Sequence, residues 1–293
     1  MSGTLVTRDG RVLTYQQFGD LGGRPVICLH GTPGCRVGPW PRTARLYPLG
    51  IRLIAYDRPG YGGSGRLPGR TVAHAAADVE DLADELGIGP FAVVGRSGGA
   101  PHALACAALL PKRVTQVAAL VACAPRDLMG EQWYDGMSDR NVEWYRKAER
   151  GLDEYTEFVT EPMNRSREDL GSFMPYAHAG LPKPDRATAA DYGIRTRLWD
   201  NFTEALRPGN GGWIDDGIAL VNPWGFELSA VAVPALLWHG SEDIFSPVGH
   251  SRWLEEALPA VTLEIEQNMA HLSAMKVFLR ILCRISAGLG RSD

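Results

Sequence analysis

The chain has 293 residues, 45% hydrophobic and 22% charged, the balance of a soluble globular protein with room for one large domain or a domain carrying an insertion. Thirty-four acids against 30 bases give a net charge of −4 with no basic stripe, which argues against a nucleic-acid surface. The five cysteines are scattered with no C-x-x-C pair, no run of about 18 apolar residues could span a bilayer, and Met1-Ser2-Gly3-Thr4-Leu5 opens no basic-then-apolar leader; no metal, no membrane and a reducing, cytoplasmic setting are the expectations.

Val12 to Phe18 reads as an early strand, closed by a turn at Gly19 to Gly23. Pro25 to Leu29 is a compact apolar strand running into His30-Gly31-Thr32-Pro33-Gly34, and Ile51 to Tyr56 is another running into Asp57-Arg58-Pro59-Gly60. Thr71 is placed to cap a helix that reaches about Leu86 and stops at Gly87; Val72, Ala75, Val79, Leu82 and Leu86 recur in it at helical spacing. Phe91 to Val94 is fully apolar, Gly98 to Leu110 is helical, and Val114 to Ala122 supplies a further strand. The alternation resumes with a strand at Pro234 to Trp238, a helix at Pro247 to Leu258, a strand at Val261 to Ile265 and a last helix at Leu272 to Ile285. Nearly all-apolar strands alternating with helices predict the α/β class, a mostly parallel sheet covered on both faces.

Between about Pro125 and Ala230 the strand signals vanish. This stretch is polar, helical in tone and broken by prolines such as Pro162, Pro175 and Pro208, yet it holds 14 of the 25 aromatic residues, Phe173 and Tyr176 among them. An inserted helical cap over 125–227, on a core made of 1–124 and 228–293, accounts for both features.

Gly95-Arg96-Ser97-Gly98-Gly99 follows an apolar strand and opens a helix of small residues, the context in which a G-x-S-x-G turn lifts a serine hydroxyl clear of a sheet. An alcohol needs a base to become a nucleophile. Of seven histidines, His271 lies in the loop after the last strand, on the sheet edge where the serine turn would sit; His30, His74, His102, His178, His239 and His250 fall in turns, helices, the insertion or a strand end. Asp243, in the loop Gly240-Ser241-Glu242-Asp243 after a strand, is the candidate acid to orient the imidazole, with Asp127 the other available location. The small residues at His30 to Gly34 would let the amide of Thr32, together with that of Gly98, receive an oxyanion.

Together, His30-Gly-Thr-Pro-Gly34, the Asp57-to-Ser64 loop, Gly95-Arg-Ser-Gly-Gly99, His239-Gly-Ser-Glu-Asp243 and His271 resemble the α/β-hydrolase superfamily over roughly residues 5–124 and 228–290. The resemblance is to its lid-bearing serine hydrolases, and it implies no cofactor and a cap that shapes the substrate pocket. Epoxide hydrolases and dehalogenases of that superfamily carry aspartate where Ser97 stands, which argues against both activities. Proline iminopeptidases are similar at the oxyanion loop but usually have glycine where Thr32 sits. Arg96 is an unusual neighbour for the nucleophile: it either forms a salt bridge beneath the turn or meets an anionic substrate. The expected activity is hydrolysis of a small ester or lactone, on a small-molecule substrate of apolar or aromatic character with Trp133, Trp144 and Trp213 as candidate contacts. An aminopeptidase, a C–C bond hydrolase, a cyclase or lyase, and a ligand-binding protein on the same fold are the alternatives.

Overall fold

A computed structural model describes residues 1–166 and 180–287; His178, Phe173, Tyr176 and Pro175 lie outside them. Eight strands form one sheet: β1 (Ser2–Val6), β2 (Val12–Gly19), β3 (Arg24–Leu29), β4 (Ile51–Tyr56), β5 (Phe91–Arg96), β6 (Val114–Leu120), β7 (Ala235–Gly240) and β8 (Val261–Glu266). Their order is β1-β2-β4-β3-β5-β6-β7-β8. The β1–β2 and β2–β4 pairings are antiparallel and every other pairing is parallel. This is an α/β-hydrolase fold in its topology.

The helices on the sheet are α1 (Thr43–Leu46), α2 (Ala75–Glu85) and α3 (Gly99–Leu109). Within the chain between β6 and β7 come α4 (Arg126–Met129), α5 (Asp139–Glu149), α6 (Leu152–Ser166), α7 (Lys183–Ala189), α8 (Tyr192–Ala205) and α9 (Gly211–Val221). The last two are α10 (Gly249–Ala257) and α11 (Ala274–Ser286). Thr71 caps a short 3-10 turn at Val72–His74 that leads into α2, its hydroxyl bonded to His74 Nδ1 at 3.0 Å.

The central strands read as unbroken apolar runs because both faces are covered. In β3, Ile27 and Leu29 join a core with Val79, Leu82 and Leu104 of α2 and α3, while Val26 and Cys28 join a second core with Phe278 and Ile281 of α11. Each fully buried side chain of this size contributes about 1.5–3 kcal/mol. Helix α3 is buried on almost every side, which its alanines and glycine permit. Among the described residues, no helix is long and apolar enough to cross a membrane.

Parallel strands leave their C-terminal ends on one edge, the edge where ligands of such sheets gather. The loops after β3, β4, β5, β7 and β8 all emerge there, carrying His30 to Gly34, Asp57 to Ser64, Ser97, Asp243 and His271 in turn.

Candidate active site

Ser97 stands between β5 and α3 with φ of 55°, a left-handed conformation that a side-chain-bearing residue adopts only when the surroundings dictate it. Its amide donates to Leu120 O at 2.9 Å and its carbonyl accepts from the Ala100 amide at 2.8 Å, so strand and helix hold the turn from both ends. The flanking glycines are steric requirements. A Cβ at Gly95 would collide with the Gly99 carbonyl, and one at Gly99 with the carbonyls of Leu29 and His30.

The Ser97 Oγ lies 2.9 Å from His271 Nε2, and His271 Nδ1 lies 2.8 Å from Asp243 Oδ2. The other oxygen of Asp243 accepts from the amides of Phe245 and Ser246, at 2.8 and 3.1 Å. Burial pushes the Asp243 carboxyl up, but the pull of His271 and the hydrogen bonds from His239 and His271 outweigh it and hold the group ionised, well below the usual carboxylate range. With the carboxylate as acceptor, Nδ1 carries the proton and Nε2 faces the serine as an acceptor. Phe245 packs on the imidazole with ring centroids 5.0 Å apart, and the Leu272 amide next to it donates to Asp185 Oδ1 at 2.8 Å.

Thr32 and Gly98 are neighbours: a Cβ at Gly98 would stand 3.4 Å from the Thr32 nitrogen. Among the described residues neither amide is engaged, so both are available to an oxyanion. The Thr32 hydroxyl donates to Asp216 Oδ2 at 2.6 Å. Asp216, on α9, also binds Arg58 at 2.5 Å, Arg70 at 2.6 Å and the Tyr61 hydroxyl at 2.8 Å, and it is fully buried. Arg58 further donates to the carbonyls of His30 and Gly31. His102 Nδ1 bonds Gly98 O at 2.7 Å, and burial followed by the Arg58 charge lowers its pKa to about 3. One buried ionic cluster therefore ties the loop after β3, the loop after β4 and the turn after Ser97 to helix α9.

Sequence reasoning missed Asp216 and Asp185. The usable signal for Asp216 was an acid pair, Asp215-Asp216, inside the otherwise apolar run Trp213 to Val221. Asp185 gave none.

A cavity of about 140 Å³ opens above Ser97 and His271. Its wall includes Trp144, Tyr145, Tyr155, Phe202, Trp213 and Phe245. Trp144 and Trp213 stack at 4.7 Å with an interplanar angle of 8°. Trp133 is not brought to the cavity, which corrects its expectation as a substrate contact. It is fully buried, donates to Ala124 O at 2.7 Å and packs edge-on against Tyr145 and His250. Arg96 lines the cavity, and no described carboxylate forms the salt bridge that was one of its two readings. Asp127 is exposed on α4, away from this relay. His30, His239 and His250 are buried and hydrogen-bonded within the fold; His74 caps a helix.

A family model described as alpha/beta hydrolase fold matches residues 24–276. The chain is 31% identical to a pimeloyl-[acyl-carrier protein] methyl ester esterase of Chromobacterium violaceum, over 89% of this chain and 93% of that one. It is 26% identical to a proline iminopeptidase of Xylella fastidiosa, over 92% and 90%. Among solved structures, the enol-lactonase from Burkholderia xenovorans LB400 shares its fold with a TM-score of 0.69 at 18% identity, covering 97% of this chain and all of the other (100%).

Proposed function

The chain belongs to the α/β-hydrolase family, and we propose that it is a serine hydrolase that cleaves a small ester or lactone through an acyl-enzyme on Ser97. The observation that carries this is the unbroken relay Asp243–His271–Ser97 at the floor of an aromatic-walled cavity. Ser97 Oγ attacks the carbonyl carbon as its proton passes to His271 Nε2, and the amides of Thr32 and Gly98 receive the oxyanion. Collapse of the tetrahedral intermediate expels the alcohol, which takes the proton from His271. Water, deprotonated by the same nitrogen, then releases the acid and restores Ser97.

The esterase and lactonase named above support ester chemistry by similarity alone. Aminopeptidase chemistry, suggested by the iminopeptidase relative, uses the same relay but must seat a substrate ammonium. This cavity wall presents the buried Arg96 instead, a poor setting for a cation. A fluorophosphonate probe tests the reading. It should label Ser97 stoichiometrically and abolish hydrolysis of p-nitrophenyl acetate. A folded protein that takes no label and cleaves no ester is a binding protein on a hydrolase fold.

We further read the helices α4 to α9, with residues 125–227, as a cap that selects substrates. Trp144→Ala or Trp213→Ala should then cut kcat/KM for a bulky aromatic ester by roughly 5- to 150-fold, equivalent to about 1–3 kcal/mol, and by clearly less for an acetate ester. Trp133→Ala should instead lower the melting temperature, since it empties a packed site at about 3–5 kcal/mol. Equal losses on both esters in stable Trp144 and Trp213 variants would leave the helices a structural cover only.

A further inference from the structure

Three arginines are buried among the described residues: Arg58, Arg70 and Arg96. Arg58 and Arg70 share Asp216. Arg96 is only 8% exposed, yet no described residue pairs with its guanidinium. An unpaired cation withdrawn from water is costly, and a fold keeps one only where cavity water or a ligand can take the partner's place.

The two acids nearest in effect leave that place open. Asp243 is already occupied by Phe245, Ser246 and His271. Asp185 accepts from Leu272 through one oxygen, and its other oxygen has no hydrogen-bond partner. Burial pushes Asp185 up to about 6, the reverse of what an ion-paired carboxylate shows. Burial also lowers Arg96 to about 10, partly opposed by Asp185 and Asp243, so it stays charged at neutral pH.

The position of Arg96 is equally specific. It precedes the nucleophile, its Nη2 lies 3.4 Å from where a Cβ at Gly31 would stand, and Gly31, Arg96, Ser97 and His271 line the same cavity. We propose that Arg96 is a carboxylate-binding subsite, so that the preferred substrates are esters carrying a free carboxylate a few carbons from the scissile bond. This rests on Ser97 being the nucleophile of an ester hydrolase. The aromatic wall then receives the apolar remainder, and the guanidinium fork meets the carboxylate.

The carboxylate can sit on the acyl side or on the alcohol side, and two substrate arms separate them. Monomethyl glutarate and 4-acetoxybutanoate are each compared with the carboxamide that replaces their carboxylate. In at least one arm the anion should be preferred by roughly 10- to 100-fold in kcat/KM, the worth of one charge-assisted hydrogen-bonded pair. Arg96→Gln should collapse that ratio toward unity, mainly through KM, and Arg96→Lys should retain part of it. Asp185→Asn should keep it. Because Arg96→Gln removes an unpaired buried charge, its melting temperature should equal or exceed that of the parent. A second readout needs no turnover: the Ser97→Ala protein should bind glutarate in calorimetric titration, and Ser97→Ala/Arg96→Gln should not.

A ratio near one in both arms, or a ratio untouched by Arg96→Gln, in a protein whose Ser97 takes the fluorophosphonate label, overturns the subsite and leaves the hydrolase reading intact. So does a lowered melting temperature with equal loss on anion and amide, which would make Arg96 a structural or oxyanion-side cation. Failure of Ser97 to label overturns the hydrolase reading, and the glutarate titration still decides whether Arg96 holds an anion.

Discussion

Ser97→Ala is expected to lower kcat by roughly 10⁴-fold or more while the melting temperature stays close to that of the parent. The rate loss follows from position. Ser97 is the group that His271 Nε2 can deprotonate at 2.9 Å, and no second hydroxyl is described on that nitrogen. The unchanged stability follows from what Ser97 contributes to the fold. Its turn is held by the backbone bonds to Leu120 and Ala100 and by the close approach of Gly95 and Gly99, all of which alanine preserves. Alanine has the same Cβ at the same positive φ, so the backbone strain is carried over unchanged. Hydrolysis of p-nitrophenyl acetate and thermal unfolding, measured on one preparation, check both halves. Full activity in the folded variant would place the chemistry elsewhere.

The strands and the turns that end them were legible in the sequence for one physical reason. A strand buried on both faces must be apolar throughout, so β3, β5 and β7 stand out as short runs ending abruptly at glycine, histidine or serine. β1 escaped notice because it is an edge strand: of Ser2 to Val6 only Leu5 is buried, and so few inward residues make no pattern. Ser97, Asp243 and His271 were legible as candidates because each sits just past a strand, and the structure brings them into one hydrogen-bonded line.

The supporting cluster was not legible. A buried acid on a helix has the same letter as a solvated one, and what distinguishes Asp216 is its partner Arg58, 158 residues away in sequence. The same holds for Asp185 and the Leu272 amide. Trp133 shows the converse failure. Aromatic content located a region rich in large side chains, but which of them face a cavity depends on helix rotation, and Trp133 turned inward onto Ala124 and His250.

Asp216 also links two levels of the molecule. Helix α9 contributes Trp213 to the cavity wall and Asp216 to the anchor of Thr32, so the element that shapes the wall also fixes the loop after β3. Burial raises the Asp216 carboxyl, but the charges of Arg58 and Arg70 outweigh it and hold the group well below the usual carboxylate range.

Asp243→Asn is expected to lower kcat by roughly 10³- to 10⁴-fold, and the reason can be read atom by atom. Oδ1 receives two backbone donors, the amides of Phe245 and Ser246, so an asparagine must keep its carbonyl oxygen there. Its amide NH₂ is then forced into the place of Oδ2, facing His271 Nδ1 at 2.8 Å and His239 Nε2 at 3.3 Å. His271 can meet a donor at Nδ1 only by moving its proton to Nε2. In that tautomer Nε2 donates toward Ser97 and no longer accepts its proton, so the base is lost while its geometry survives. Flipping the amide would set NH₂ against two N–H groups, a worse arrangement by about 1–3 kcal/mol. Substrate binding should persist, since the residue does not line the cavity, and the loss should fall on kcat more than on KM. Asp127→Asn is the control, because that residue is exposed on α4 and should leave the rate unaltered. If Asp127→Asn is damaging and Asp243→Asn is silent, the acid has been assigned to the wrong strand.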